Sequence, residues 1–179
     1  MRIVPLALAA AALPALWPAE AAAAPAVHVG VGTSVVRYNT ALVPEGATAR
    51  AFTASATGTL TALSVRGLLP GREYGAHVHT KPCGASPSDS GPHYQHVPDP
   101  VQPSADPAYA NPSNEIWLDF TTTANGSGFA VSHVDWTYGD RLPGSVVIHE
   151  THTHTDPGHA GTAGGRLACL NLEFGPPGR

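Results

Sequence analysis

Residues 71–84 read GREYGAHVHTKPCG. From Tyr74 to His79, Tyr, Ala and Val alternate with Gly, His and His, the two-residue period of an extended strand whose side chains point to opposite faces in turn. Pro70-Gly71 ahead of it is a turn signal. On such a strand His77 and His79 share a face, and both imidazoles can reach one metal ion. A two-histidine pattern of this kind also arises by chance, so its weight depends on histidines arriving from elsewhere in the chain.

The same period recurs on both sides of this stretch. It runs over Val27 to Tyr38, Ala51 to Thr57, Leu60 to Val65, Ile116 to Thr122, Phe129 to Trp136, Ser145 to His149 and Arg166 to Phe174. No window sustains a helical period, and turn signals such as Asn125-Gly126 fall between the runs. The expectation is an all-β sandwich or barrel of about eight antiparallel strands.

Composition agrees. The chain has 179 residues, enough for one domain with a sizeable core. It carries 19 glycines and 18 prolines and only 12% charged residues, a balance suited to short strands and many turns. The formal net charge is -4 and Lys81 is the single lysine, which argues against nucleic acid as a partner. Oligomeric state is left open by the sequence.

The amino-terminal residues follow another logic. Arg2 precedes an apolar run and then the small-residue stretch AEAAAAPA, the pattern of a secretory signal peptide cleaved near Ala22 to Ala24. Pro14 and Pro18 interrupt the run, which is short for a membrane span, and no later segment could cross a bilayer. The expected organisation is a signal peptide over residues 1–24 and one β domain over residues 25–179 in the extracellular space. In an exported chain the two cysteines, Cys83 and Cys169, read as a disulfide, with free buried thiols as the alternative.

Two stretches lack any periodic pattern. Thr80 to Ser113 contains eight prolines together with Cys83, His93 and His96, and Thr151 to Gly165 reads THTHTDPGHAGTAGG. Long irregular connections inside compact domains are functional or disordered. The ten histidines concentrate in these loops and at strand ends: His77 and His79, then His93 and His96 in GPHYQH, then His149 closing SVVIHE, then His152, His154 and His159. Neutral imidazoles from separate segments, with no thiolate or carboxylate cluster, suit copper or zinc over magnesium or calcium. His149-Glu150 begins like a zinc-protease helix, but His152 comes one position too early and the preceding residues are β-branched.

Four blocks, in order, give the chain its resemblance to the copper/zinc superoxide dismutases: GAHVH with a cysteine nearby, GPH at 91–93, VVIHE at 146–150 and AGGRLAC at 163–169. The resemblance runs from about Thr59 to the end and implies a Greek-key β-barrel or sandwich with two long functional loops. It further implies that His77, His79, His93 and His149 are copper ligands, with His93 in the place of the family's bridging ligand, suited to release copper and carry a proton. Arg166 matches the arginine that draws superoxide to the copper, and Cys83 and Cys169 match the family's disulfide.

The departures concern zinc. After His96 no histidine occurs before His133, His96 is too close to His93 for the family's spacing, and the region of the zinc aspartate reads NPSNEIWLDF. The chain is therefore similar to copper-only members, with zinc not expected. Something other than zinc must then orient the far nitrogen of His93, and Glu115 is the expected acceptor. The second loop is short and has no lysine, which suggests an open copper site. The expected activity is copper-dependent dismutation of superoxide to dioxygen and hydrogen peroxide. The alternatives are an exported copper-buffering protein on the same scaffold and a structural β-sandwich with a vestigial site. His28 and His133 read as ordinary strand residues, and His152, His154 and His159 as a solvated loop.

Overall fold

The computed structural model describes residues 27–176. The expected signal peptide, residues 1–24, lies outside them. Among the described residues ten strands form: β1 (His28–Gly32), β2 (Val35–Arg37), β3 (Thr48–Ser55), β4 (Thr59–Arg66), β5 (Glu73–His79), β6 (Phe120–Thr121), β7 (Gly128–Val134), β8 (Ser145–His149), β9 (Arg166–Asn171) and β10 (Glu173–Phe174). The helical content among the described residues is one 3-10 turn, Pro87–Ser90. Among the described residues no helix is long and apolar enough to cross a membrane.

The strands make two antiparallel five-stranded sheets, ordered β10-β1-β3-β4-β7 and β2-β9-β8-β5-β6. β4 pairs with β7, and β5 with β8, although neither pair is consecutive, which gives the Greek-key connection. Among the described residues no ladder joins the sheets, so of the two expected forms the sandwich is the one adopted, not a closed barrel. The strand number exceeds the expected eight because two continuous runs each divide between sheets. Val27 to Tyr38 breaks at Thr33-Ser34, with β1 in the first sheet and β2 in the second, and Arg166 to Phe174 breaks at Leu172. The Ile116 to Thr122 run is strand only at β6, but Val78 N–H donates to the Ile116 carbonyl and Leu118 N–H to that of Ala76, so it still lies along β5.

Alternation puts one face of each sheet into the core. β3 buries Ala49, Ala51, Thr53 and Ser55, and β4 buries Thr59, Thr61, Leu63 and Val65. The second sheet answers with Tyr74, Ala76, Val78, Val146, Ile148 and Leu170. The inward hydroxyls are satisfied: Thr53 Oγ1 lies 2.8 Å from Thr61 Oγ1 and 2.7 Å from the Tyr138 hydroxyl. Burial pushes the Tyr138 phenol up to about 12, against the opposing hydrogen bonds from Thr53 and Thr61. Gly126 turns the chain ahead of β7 at φ 74°, where a Cβ would stand 2.2 Å from the Leu68 carbonyl oxygen.

The second sheet is buried on its outer face too. The connections from β5 to β6 and from β8 to β9 fold back over it. A Cys83–Cys169 disulfide joins the first of these to β9, closing a loop of 86 residues. Loop-to-scaffold hydrogen bonds fix the same connection, from Cys83 N to Asn171 Oδ1 at 2.7 Å and from Trp136 Nε1 to the Ser113 carbonyl at 2.8 Å. Gly158 N–H donates to the Ala105 carbonyl at 3.1 Å and ties the two loops to each other.

Candidate metal centre

His77 and His79 project from the outer face of β5, and His149 from the end of the neighbouring β8, where the β8–β9 register shifts between Ile148 and His149. Gly75 faces His149 across the ladder and leaves room for the covering loop; a Cβ there would meet the Thr151 carbonyl oxygen at 2.5 Å. His93 enters from the proline-rich loop, paired with His79 through an isolated bridge. One nitrogen from each of His77, His79, His93 and His149 lies within 4.8 Å of all the others. The His77 and His93 ring centroids are 4.0 Å apart, and His79 Nε2 is 3.3 Å from His149 Nε2.

Three of these rings are buried, and His93 is 18% exposed in its side chain. Burial, followed by the charge of the neighbouring rings, holds His77 and His79 well below the ordinary imidazole range. The same causes lower His149 to about 3. These three buried rings are therefore neutral at physiological pH, the form that can donate a lone pair.

Most of the outward nitrogens are tied down. His79 Nδ1 is 2.9 Å from the Gly91 carbonyl oxygen, to which it donates, so its Nε2 is bare. His77 Nε2 is 2.7 Å from Thr153 Oγ1. His93 Nδ1 is 2.8 Å from Glu115 Oε2. Glu115 is 1% exposed, yet its carboxylate is fully engaged: Trp117 Nε1 donates to Oε2 at 2.6 Å and Gln95 Nε2 to Oε1 at 2.8 Å. Gln95 in turn accepts from Asp99 N, and Asp99 accepts from Ser104 Oγ, which anchors the proline-rich loop around the carboxylate.

The cluster opens on one side into a cleft of about 270 Å³, lined by His93, Gln95, Ser104, His149, Thr162 and Arg166 among others. Arg166, at the start of β9, is held by the Pro87 carbonyl at 2.9 Å and by Ser90 Oγ at 2.8 Å, both on the 3-10 turn. Its partial burial lowers the guanidinium pKa.

The residues fit a transition-metal ion. His77 Nδ1 and His149 Nδ1 are buried without a hydrogen-bond partner, a costly arrangement for polar atoms. Four imidazoles with no thiolate or carboxylate among them form a donor set for copper or zinc.

The remaining histidines stand apart from this cluster. His96 stacks on Trp136, with centroids 5.1 Å apart and planes within 8°. His152 Nε2 meets the Phe120 carbonyl oxygen at 3.1 Å. His154 and His159 flank Asp156 on the exposed second loop, at 3.8 and 2.8 Å. His28 lies on β1, and His133 is exposed on β7 near Asp135.

No protein-family model matches the sequence, and no curated protein does. Solved structures match through their shape. The Cu/Zn superoxide dismutase from Brucella abortus aligns at TM-score 0.58 with 18% identity, over 81% of this chain and 99% of that one. The fold is that of the copper/zinc superoxide dismutases. A double mutant of a dismutase-like protein from Bacillus subtilis aligns at TM-score 0.53 with 17% identity, over 81% of this chain and 95% of that one. The clock protein EA4 aligns at 0.55 with 18% identity, covering 86% and 98%. One architecture thus serves proteins with different descriptions, and function must be argued from the site.

Several residues around the cluster carry no signal in the sequence. Gln95 and Trp117 were unremarkable in the pattern, and Asp119 and Thr153 come from segments whose approach only the folded loops reveal. Thr153 sits two residues after Thr151 in an irregular stretch, where no periodicity assigns a side chain to a face.

Proposed function

We propose that this chain is an exported, copper-dependent superoxide dismutase, made as a signal peptide over residues 1–24 and a single β domain over residues 25–179. The carrying observation is the group of four histidine nitrogens within 4.8 Å at the base of a cleft that Arg166 also lines. His77, His79, His93 and His149 would hold the metal, and the disulfide is consistent with an oxidising compartment. Glu115 in place of a second metal on His93, and the lack of a further histidine set, support copper alone.

Copper, when bound, supplies a one-electron couple able to oxidise one superoxide to dioxygen and reduce a second to hydrogen peroxide. The chain's own residues do the rest. Arg166, fixed by Pro87 and Ser90, holds a positive charge at the cleft and attracts a small anion. The cleft is open, so a diatomic anion enters without a lid movement. His93 keeps Nδ1 on Glu115, so Nε2 is the atom that would ligate the metal, and it would take up a proton only when His93 is released from it. Burial of His77 and His79 under the loops excludes water from the cluster's floor.

The test is metal analysis and superoxide consumption by the secreted protein loaded with copper and zinc together. One equivalent of copper, no zinc and rapid superoxide removal are expected, with His149→Ala losing both copper and activity. Stoichiometric zinc would overturn the copper-only part. Copper held tightly without superoxide removal would instead assign the chain to copper buffering, a reading favoured by the exposed His154, Asp156 and His159 on the second loop.

A further inference from the structure

We infer that Thr153 and Asp119 set the tautomer of His77. Thr153 Oγ1 lies 2.7 Å from Asp119 Oδ1 and 2.7 Å from His77 Nε2. A carboxylate only accepts hydrogen bonds, and a threonine hydroxyl has a single proton. That proton goes to Asp119, so Thr153 Oγ1 meets His77 as an acceptor and His77 must carry its own proton on Nε2. Nδ1, the buried atom without a partner, is thereby left bare and is the His77 nitrogen available to a metal held with His79, His93 and His149.

Asp119 is placed for this by contacts that do not involve His77. Its Oδ2 accepts from Thr153 N at 2.7 Å, and its Oδ1 also accepts from Ala76 N at 3.2 Å. The carboxylate therefore pins the second loop to β5 at the residue beside His77, and the same two groups fix both the loop and the proton. The close approach requires Gly75, where an added Cβ would lie 2.8 Å from Ala163 Cβ and 3.5 Å from Asp119 Oδ1. Thr153 and Asp119 are positioning residues, acting through His77. They do for His77 what Glu115 does for His93, by a two-step chain in place of a direct carboxylate contact. Groups that orient a ligating histidine in this way are worth about 10–100-fold in metal affinity.

Only the copper arm of the test rests on the proposed function, because the tautomer can be read without metal. Long-range proton–nitrogen NMR of the metal-free protein at neutral pH is expected to show His77 wholly in the Nε2–H form. Thr153→Ser, which keeps the hydroxyl, should retain it, whereas Thr153→Val and Asp119→Ala should give a mixture with the Nδ1–H form. His79, whose Nδ1 donates to Gly91, serves as the internal control for folding and should stay Nδ1–H in every variant. A wild-type His77 protonated on Nδ1, or Thr153→Val with an unchanged Nε2–H ring, would overturn the inference. In the copper arm, Thr153→Val should bind copper about 10–100-fold more weakly and Thr153→Ser like the wild type. Wild-type protein that binds copper without dismuting superoxide would defeat the enzymatic reading and leave the tautomer result standing.

Discussion

The two sheets are built from similar strands and meet opposite surroundings. In the first sheet β3 and β4 alternate exposed and buried residues, and the outward face carries Val29, Val31, Phe52, Leu60, Phe129 and Val131 in contact with solvent. In the second sheet β8 is buried at every position and β5 at every position after Glu73. The difference comes from the connections. A short turn joins β3 to β4, whereas two long loops leave the second sheet and return across its outer face. The outward positions that would otherwise meet water are then enclosed, and there the chain places His77, His79 and His149. Polar residues on a solvated face titrate normally, but the same residues under a loop must be neutral, paired or metal-bound.

Acidifying the metal-free protein should strain this arrangement most. His77, His79 and His149 have lowered pKa values in the fold, against about 6.5 when unfolded. The unfolded chain therefore binds more protons below that value, so the stabilisation is complete above about pH 6.5 and is lost as pH falls toward the folded values. Each ring contributes about 1.4 kcal/mol per pH unit in that window. Denaturant unfolding of metal-free protein at pH 7 and pH 5 should show a loss of several kcal/mol, much reduced when all three are replaced by glutamine. An unchanged midpoint would mean that the cluster is open to water.

The disulfide comes next, and it is anchored in the covered sheet. Replacing Cys83 and Cys169 with serine should cost about 4 kcal/mol, the loop-closure entropy of a connection of this length. Because Cys83 tethers the loop that carries His93, hydrogen exchange should rise most around residues 80–96, where local opening adds to the global loss, and in β3 and β4 by no more than that global loss.

Legibility in the sequence follows the same division. The first sheet is readable because each strand buries one face, so period two survives in Ala51 to Thr57, Leu60 to Val65 and Phe129 to Trp136. The breaks at Thr33-Ser34 and Leu172 were hidden because apolar alternation continues through a change of sheet. Of the clustered side chains, the shared face of His77 and His79 was legible from strand period, while His93, His149 and Glu115 needed the family resemblance and its missing zinc ligands. Asp119 and Thr153 were not legible, since their roles depend on where two aperiodic loops come to rest.

Glu115→Gln tests the covered side more gently. The amide cannot accept from His93, Trp117 and Gln95 together, so one donor is left buried and unpaired, at about 1–3 kcal/mol. Copper titration should show affinity about 10-fold or more weaker, with His93 exchanging between orientations. Wild-type affinity in this variant would remove Glu115 from the site.

The smallest effect belongs to the open sheet, and it is the control that gives the others meaning. Val131→Thr on β7 keeps β-branching and shape, on a side chain already 50% exposed. Surface changes of this kind fall within about 0.5 kcal/mol. Copper binding should be unchanged, because β7 lies in the other sheet and contributes no side chain to the cluster. If Val131→Thr lowered stability by more than 1–2 kcal/mol, the outward face of the first sheet would have to be covered in solution, and the contrast between one open and one enclosed sheet would fail.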